Sequence, residues 1–296
     1  MKKKIQYTHL FYAAGLLIFI FLSFTGSCIV NINENEFDPS YGGEIPESAD
    51  FTVNIELENF TENPFSAAIK DVLSNMQLPL YISEKIHENL SNNADFIYDL
   101  TEIFINDRYL WILIDKNNFL AEDTDPDDLV DIVSGSSGII ANLMLRKEAY
   151  DSLAEMTAAA EEEGLELTVI SAYRSYLYQG RVYTYWVVTL GQEEADRISA
   201  RPGSSQHQLG FTVDFNMLDN ALSQTPEGIW LFANASRFGW SLSYPDGYED
   251  VTGYDWESWH YRYVGKFLSE FIEKYFDGIQ QYAFEFIHNY QAVLQN

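Results

Sequence analysis

The sequence predicts an α+β fold: an antiparallel sheet flanked by helices, carried behind an N-terminal membrane anchor and a mostly helical extension. Three observations point there. Segments of helical and of alternating period are interleaved without the regular strand–helix–strand repeat of a parallel sheet. Glycines and prolines punctuate those segments where helices stop and turns form. The 296 residues are 47% hydrophobic, enough to bury a core.

Lys2, Lys3 and Lys4 precede an uncharged run from Leu10 to Phe24 that continues to Val30. A positive start followed by an apolar stretch is an export pattern. Counted to Val30, the run of about 20 residues is long enough to span a bilayer. Two readings of residues 1–30 stay open. One is an uncleaved signal anchor. The other is a lipoprotein signal ending in Gly26-Ser27-Cys28, with Thr25 where such a box usually carries Leu. Both leave the chain attached to the cell membrane on its extracytoplasmic face, with the lysines inside. Cys28 is the single cysteine, which rules out an intramolecular disulfide.

Residues 31–50 are polar and contain Gly and Pro, as in a linker. Residues 51–106 carry helical signals at Phe65–Met76, Ile82–Leu90 and Phe96–Phe104 but no evident chemistry, and read as an N-terminal extension. The main domain is expected over residues 107–290. Leu110–Ile114 reads as a short strand. Arg146 to Glu163 reads as a helix, with Leu145, Ala149, Leu153, Met156 and Ala160 on one face and Gly164 as its stop. Leu165, Leu167 and Val169 alternate with Glu166 and Thr168, as in a half-buried strand. A helix follows over Tyr176–Leu190, ended by Gly191. Pro202-Gly203 turns the chain into a strand at Phe211–Asn216. Thr225 caps a helix with Pro226 at its first position, running to Phe238 and stopped by Gly239. Strands are expected at Trp240–Tyr244 and Trp259–Val264, and the segment from Gly265 to Tyr290 is helical.

The net charge of −28, from 45 acidic against 17 basic residues, excludes nucleic acid as a partner, since phosphate binding needs Lys and Arg. Acidic clusters at Asp123–Asp131 and Glu161–Glu163 read as solvated surface.

Of five histidines, His9 lies in the leader, and His87 and His288 sit in helical patterns. The other two have unusual neighbourhoods. His207 follows the Pro-Gly turn, with Asp214 on the strand after it. His260 opens a strand, with Glu257 three residues earlier across a bend. Arg174 stands where a strand gives way to a helix, and its planar fork suits a carboxylate. Taken alone, the first segment could arise by chance in so acidic a chain, the second also reads as a core histidine beside a surface carboxylate, and the third as a surface ion pair. Together they assemble a catalytic zinc site. His207, Asp214 and His260 supply three ligands and leave the fourth position open. Glu257 is the general base, and Arg174 holds the substrate carboxylate or the developing oxyanion. Ser-His-Asp catalysis is the rival, but the chain has no G-x-S-x-G elbow.

These segments resemble the VanY-type D-alanyl-D-alanine carboxypeptidases. The family pattern Y-R-S-x-x-x-Q is met by Tyr173–Gln179. P-G-x-S-x-H-Q-x-G-x-x-x-D is met by Pro202–Asp214, and T-G-Y-x-x-E-x-W-H-x-R-Y-V-G by Thr252–Gly265. The likeness spans Tyr109 to Tyr290. It implies zinc on His207, Asp214 and His260, Glu257 as base and Arg174 as substrate ligand. Gln179 and Ser205 fall at matching positions and are implied to line the site. It also implies a compact α+β domain shared with Hedgehog-like metallopeptidases, and peptidoglycan stem peptides as substrate. The sequence departs from the pattern twice: Gln206 replaces a Glu before the first histidine, and Ser243 replaces a basic residue before Tyr244-Pro245. The expected activity is D,D-carboxypeptidase. The alternatives are L,D-carboxypeptidase action on tetrapeptide stems, and a zinc-stabilised module that binds wall peptides without cleaving them.

Overall fold

A computed structural model describes residues 5–7, 31–32, 51–54, 64–92, 95–106, 110–132 and 143–295. Three short strands, β1 (Ile5–Tyr7), β2 (Asn31–Ile32) and β3 (Phe51–Asn54), pair antiparallel in the order β1-β3-β2. Among the described residues no helix is long and apolar enough to cross a membrane. The apolar run from Leu10 to Val30, expected to do so, lies outside the described residues.

The extension contains three helices where the periodicity placed them: α1 (Pro64–Asn75), α2 (Leu80–Asn92) and α3 (Asp95–Asn106). They do not stand apart from the rest of the chain. Their buried residues, among them Ile69, Ile82, Ile86 and Phe96, share one core with the two C-terminal helices, α9 (Lys266–Phe276) and α10 (Gln280–Gln295). The Phe96 ring meets Phe271 at 5.1 Å, Tyr275 at 4.7 Å and Phe286 at 5.5 Å.

In the sequence, the α+β part lies between these two groups of helices. A two-stranded hairpin, β4 (Leu129–Asp131) with β5 (Met144–Arg146), leads into α4 (Lys147–Glu162). The expected face of that helix is the buried one: Ala149, Leu153, Met156 and Ala160. Strand β6 (Val169–Ser171) precedes α5 (Tyr176–Leu190) and α6 (Gln192–Ile198). Strand β7 (Thr212–Phe215) precedes α7 (Pro226–Asn234), whose cap Thr225 accepts a bond from Gly228 N. Then come β8 (Trp240–Leu242), the short α8 (Glu249–Thr252) and β9 (His260–Tyr263). The main sheet is antiparallel throughout, in the order β6-β7-β9-β8.

Register and strand alternation divide this sheet into two faces. Val213, Phe215, Trp240, Tyr261 and Tyr263 point to one side and join α4 and α7 in a second core. Asp214, His260, Thr212, Arg262 and Ser241 point to the other. There the fully buried Arg262 stacks on Phe284 of α10, 4.5 Å from the ring centroid.

Two strand expectations are corrected. Leu110–Ile114 is turn and coil, because the carbonyls of Leu110 and Ile112 are both taken by Arg262 Nη2, at 2.8 and 2.9 Å. The strand expected from Leu165 begins only at Val169. Asn216, with φ 54°, turns off the end of β7 and bonds the backbone at Thr168 and Glu166, so residues 165–168 need no strand partner. A further helix, α6, follows directly on Gly191, which the periodicity read only as a stop.

Candidate metal centre

His207 sits in a 3-10 turn, Gln206–Leu209, closed by Gly210 in the left-handed region at φ 74°. Its carbonyl accepts from Arg174 N and Gly210 N, both at 3.2 Å. Its ring is fully buried. Nδ1 lies 2.7 Å from the carbonyl of Ala172. A carbonyl can only accept, so the ring proton belongs on Nδ1 and the Nε2 lone pair faces the other way.

That lone pair faces Asp214. Oδ2 of Asp214 is 3.4 Å from His207 Nε2, and Oδ1 is 3.3 Å from His260 Nδ1. The strand register makes this possible, since Asp214 and His260 are direct partners across β7 and β9. The two imidazoles stand 4.9 Å apart, nearly perpendicular at 79°. Glu257 Oε2 is 3.0 Å from His260 Nδ1. Two backbone bonds fix the bend that carries Glu257: its N–H donates to Tyr244 O at 3.0 Å, and its own carbonyl accepts from His260 N at 3.2 Å.

The donor set fits a divalent metal. One ligand atom from each of His207, Asp214 and His260 lies within 4.8 Å of the others, and all three residues are buried. His207 Nε2 and Asp214 Oδ1 have no hydrogen-bond partner, a costly state for buried polar atoms that a metal would relieve. Each imidazole also lies 3.3–3.4 Å from one oxygen of Asp214. Two ligands held about 2.05 Å from zinc at the tetrahedral angle are about 3.3 Å apart.

The site's electrostatics follow from burial and proximity. Burial, with Arg174 nearby, lowers His207 to about 4, so its ring is neutral. Burial also opposes a charged His260, but the adjacent carboxylates of Asp214 and Glu257 outweigh it and raise that ring to about 9. Burial would raise Asp214 as well, yet the two imidazoles hold it well below the ordinary carboxylate range. Glu257 is raised, chiefly by burial, against the pull of His260; 16% of its side chain reaches solvent.

Arg174 comes from the segment between β6 and α5. Its Nη2 is 3.8 Å from Asp214 Oδ2, and its Nε is buried without a partner, so the fork retains capacity for a ligand. Five of the seven expected residues therefore converge: His207, Asp214, His260, Glu257 and Arg174. Gln179 and Ser205 are buried on the flanking segments. The Gln179 amide nitrogen donates to Ala200 O at 2.7 Å, which leaves only its Oε1 unpartnered. His87 and His288 are exposed on α2 and α10, away from the cluster.

Sequence reasoning assigned no role to Tyr244. Its ring lies 4.7 Å from His260 and 5.0 Å from Tyr254, and burial raises its hydroxyl well above the ordinary tyrosine range. Its signal was the Tyr-Pro pair after β8, which marks a turn but not what the ring covers. Ala172 was also missed, because it acts through its carbonyl, which no side-chain pattern reveals.

Comparison with known proteins gives a consistent picture. The VanY D-alanyl-D-alanine carboxypeptidase family matches residues 142–266. The chain is 34% identical over 198 residues to a putative carboxypeptidase of Bacillus subtilis, YodJ, covering 62% of this chain and 72% of the relative. It is 25% identical over 212 residues to a D-alanyl-D-alanine carboxypeptidase of Enterococcus faecium, covering 71% of this chain and 63% of the relative. Among solved structures, the LdcB LD-carboxypeptidase superposes with a TM-score of 0.56 at 35% identity, over 61% of this chain and 87% of that one.

Proposed function

The chain belongs to the VanY family of D-alanyl-D-alanine carboxypeptidases, and on that premise we propose that it is a zinc-dependent D,D-carboxypeptidase removing the terminal D-alanine from peptidoglycan stem peptides. One observation carries the reading. A buried His-Asp-His set with unpartnered donor atoms stands beside a carboxyl group raised by burial and an arginine with a free nitrogen.

His207, Asp214 and His260 would hold the zinc, which when bound supplies a Lewis acid for the scissile carbonyl and lowers the pKa of water. Glu257 takes the proton of the attacking water and returns it to the departing amine nitrogen. Hydroxyl is added to the carbonyl carbon, hydrogen to the nitrogen, and the C–N bond breaks. Arg174 pairs with the C-terminal carboxylate that makes the substrate a carboxypeptidase substrate. Gln179 and Ser205, on the segments beside Arg174 and His207, line the substrate's path. The lysine-flanked apolar run in residues 1–30 supports attachment to the membrane on the side where stem peptides are found.

A second reading, L,D-carboxypeptidase action on tetrapeptide stems, is favoured by the likeness to the LdcB LD-carboxypeptidase. Defined pentapeptide and tetrapeptide stems, incubated with the protein and analysed by mass spectrometry, separate the two. Loss of one alanine from the pentapeptide supports the D,D reading. Loss from the tetrapeptide alone replaces it with the L,D reading. Intact peptides with zinc bound leave a wall-peptide-binding module.

A further inference from the structure

The two positions at which this chain departs from its family's pattern touch each other. Ser243 Oγ donates to Gln206 Oε1 at 2.7 Å, across 37 residues of sequence, and both side chains are about 2% exposed. Gln280, at the start of α10 and 1% exposed, completes the group. Its Nε2 donates to Ser243 Oγ at 2.9 Å and lies 3.3 Å from Ser241 O. The three side chains carry no charge.

The group joins the two halves of the metal centre. Gln206 is the residue before His207 and opens its turn. Ser243 donates its backbone N–H to the carbonyl of His260 at 3.1 Å. One residue is therefore tied by its side chain to the first histidine's turn and by its main chain to the second histidine. The next residue extends the hold, since Tyr244 places its ring 4.7 Å from His260 and its carbonyl accepts from Glu257 N. The segments bearing His207, His260 and Glu257 all meet at Ser243-Tyr244.

We propose, building on the metal reading above, that Ser243 is a positioning residue: with Gln206 and Gln280 it forms a neutral buried bridge that sets the spacing of the two histidine arms. The Gln206 and Ser243 departures are then one exchange, an uncharged hydrogen bond standing where the family pattern has an acid and a base. A buried acid is tolerated only with its partner, and so is a buried base, whereas a neutral pair needs no ion pairing. Either residue reverted alone strands a charge; reverted together they restore a pair.

The test uses the full-length chain and two readouts that need no substrate: zinc affinity by competition with a chromophoric chelator, and the melting temperature of the metal-free protein. Ser243→Ala leaves Gln206 and Gln280 short of a partner and is expected to weaken zinc binding about tenfold, the scale of lost supporting contacts around a metal. Gln206→Glu and Ser243→Lys are each expected to weaken zinc and lower the melting temperature, while the double variant recovers much of both. Zinc affinity unchanged in Ser243→Ala, or effects of the Glu and Lys substitutions that simply add, would overturn the proposal. A chain that binds zinc but cleaves no stem peptide would sink the proposed activity and leave this bridge standing.

Discussion

Asp214 is the residue on which both imidazoles converge, at 3.4 and 3.3 Å, and its charge holds the cluster together. Asp214→Asn, which keeps the shape and removes the charge, is expected to abolish stoichiometric zinc binding, measured as metal content per chain. Glu257 touches the same cluster without being one of the three residues proposed to hold the metal. Glu257→Gln is therefore expected to retain zinc while turnover on a defined stem peptide falls about 10²–10⁴-fold. The two histidines give the metal-free protein a pH signature. His260 is raised to about 9, so the stability it contributes is full below its unfolded value near 6.5 and lost as pH rises through about 9. His207 is lowered to about 4, so its contribution is present above about 6.5 and lost as pH falls through about 4. The metal-free melting temperature should thus be highest near neutrality and decline on both sides. Zinc affinity should rise with pH up to about 9, because the metal must displace the His260 proton. Of the residues that converge, the two histidines stood out because the chain has only five, whereas Asp214, Glu257 and Arg174 stood out only through the motifs that hold them, since acidic residues number 45. Ser243 stood out only as a departure from the family pattern, and neither its bridge to Gln206 nor the carbonyl of Ala172 was legible, because one joins distant segments and the other belongs to the backbone.

At the level of elements, the 3-10 turn of His207 is tightly constrained. Gly210 closes it with φ 74°, and a Cβ there would lie 2.8 Å from Arg146 Cγ and 3.1 Å from Leu129 Cδ2. Gly210→Ala is expected to cost about 1–2 kcal/mol for the left-handed backbone alone, plus the displacement of Arg146, and to weaken zinc binding with it. Equilibrium denaturation and chelator competition measure the two effects. Elements with strong local signals were readable from sequence: the capped start of α7 at Thr225-Pro226, the stop of α5 at Gly191 and the periodic face of α4. Elements whose backbone is satisfied by a distant side chain were not. Leu110–Ile114 has strand-like residues, but Arg262 takes its carbonyls. Residues 165–168 alternate well, but Asn216 bonds their backbone. Local pattern cannot report a partner 150 or 48 residues away.

Across the whole molecule, the N-terminal helices and the C-terminal helices are one packing unit, and the sheet that carries the site meets it where Arg262 stacks on Phe284 and Gln280 reaches Ser241 O. The periodicity showed that α1–α3 are amphipathic but could not show what their apolar faces cover, because that surface is supplied by residues 266–290. Phe96→Ala, removing a fully buried ring with three aromatic neighbours, is expected to destabilise the fold by about 3–5 kcal/mol by equilibrium denaturation. The central claim concerns a smaller region: two imidazoles and one carboxylate holding one zinc ion. It is tested most directly by metal analysis of the purified full-length chain beside a variant carrying His207→Ala, Asp214→Ala and His260→Ala. About one zinc per chain in the first and essentially none in the second is the predicted result. Equal zinc in both, or a zinc-free chain that still releases alanine from a stem peptide, would contradict it.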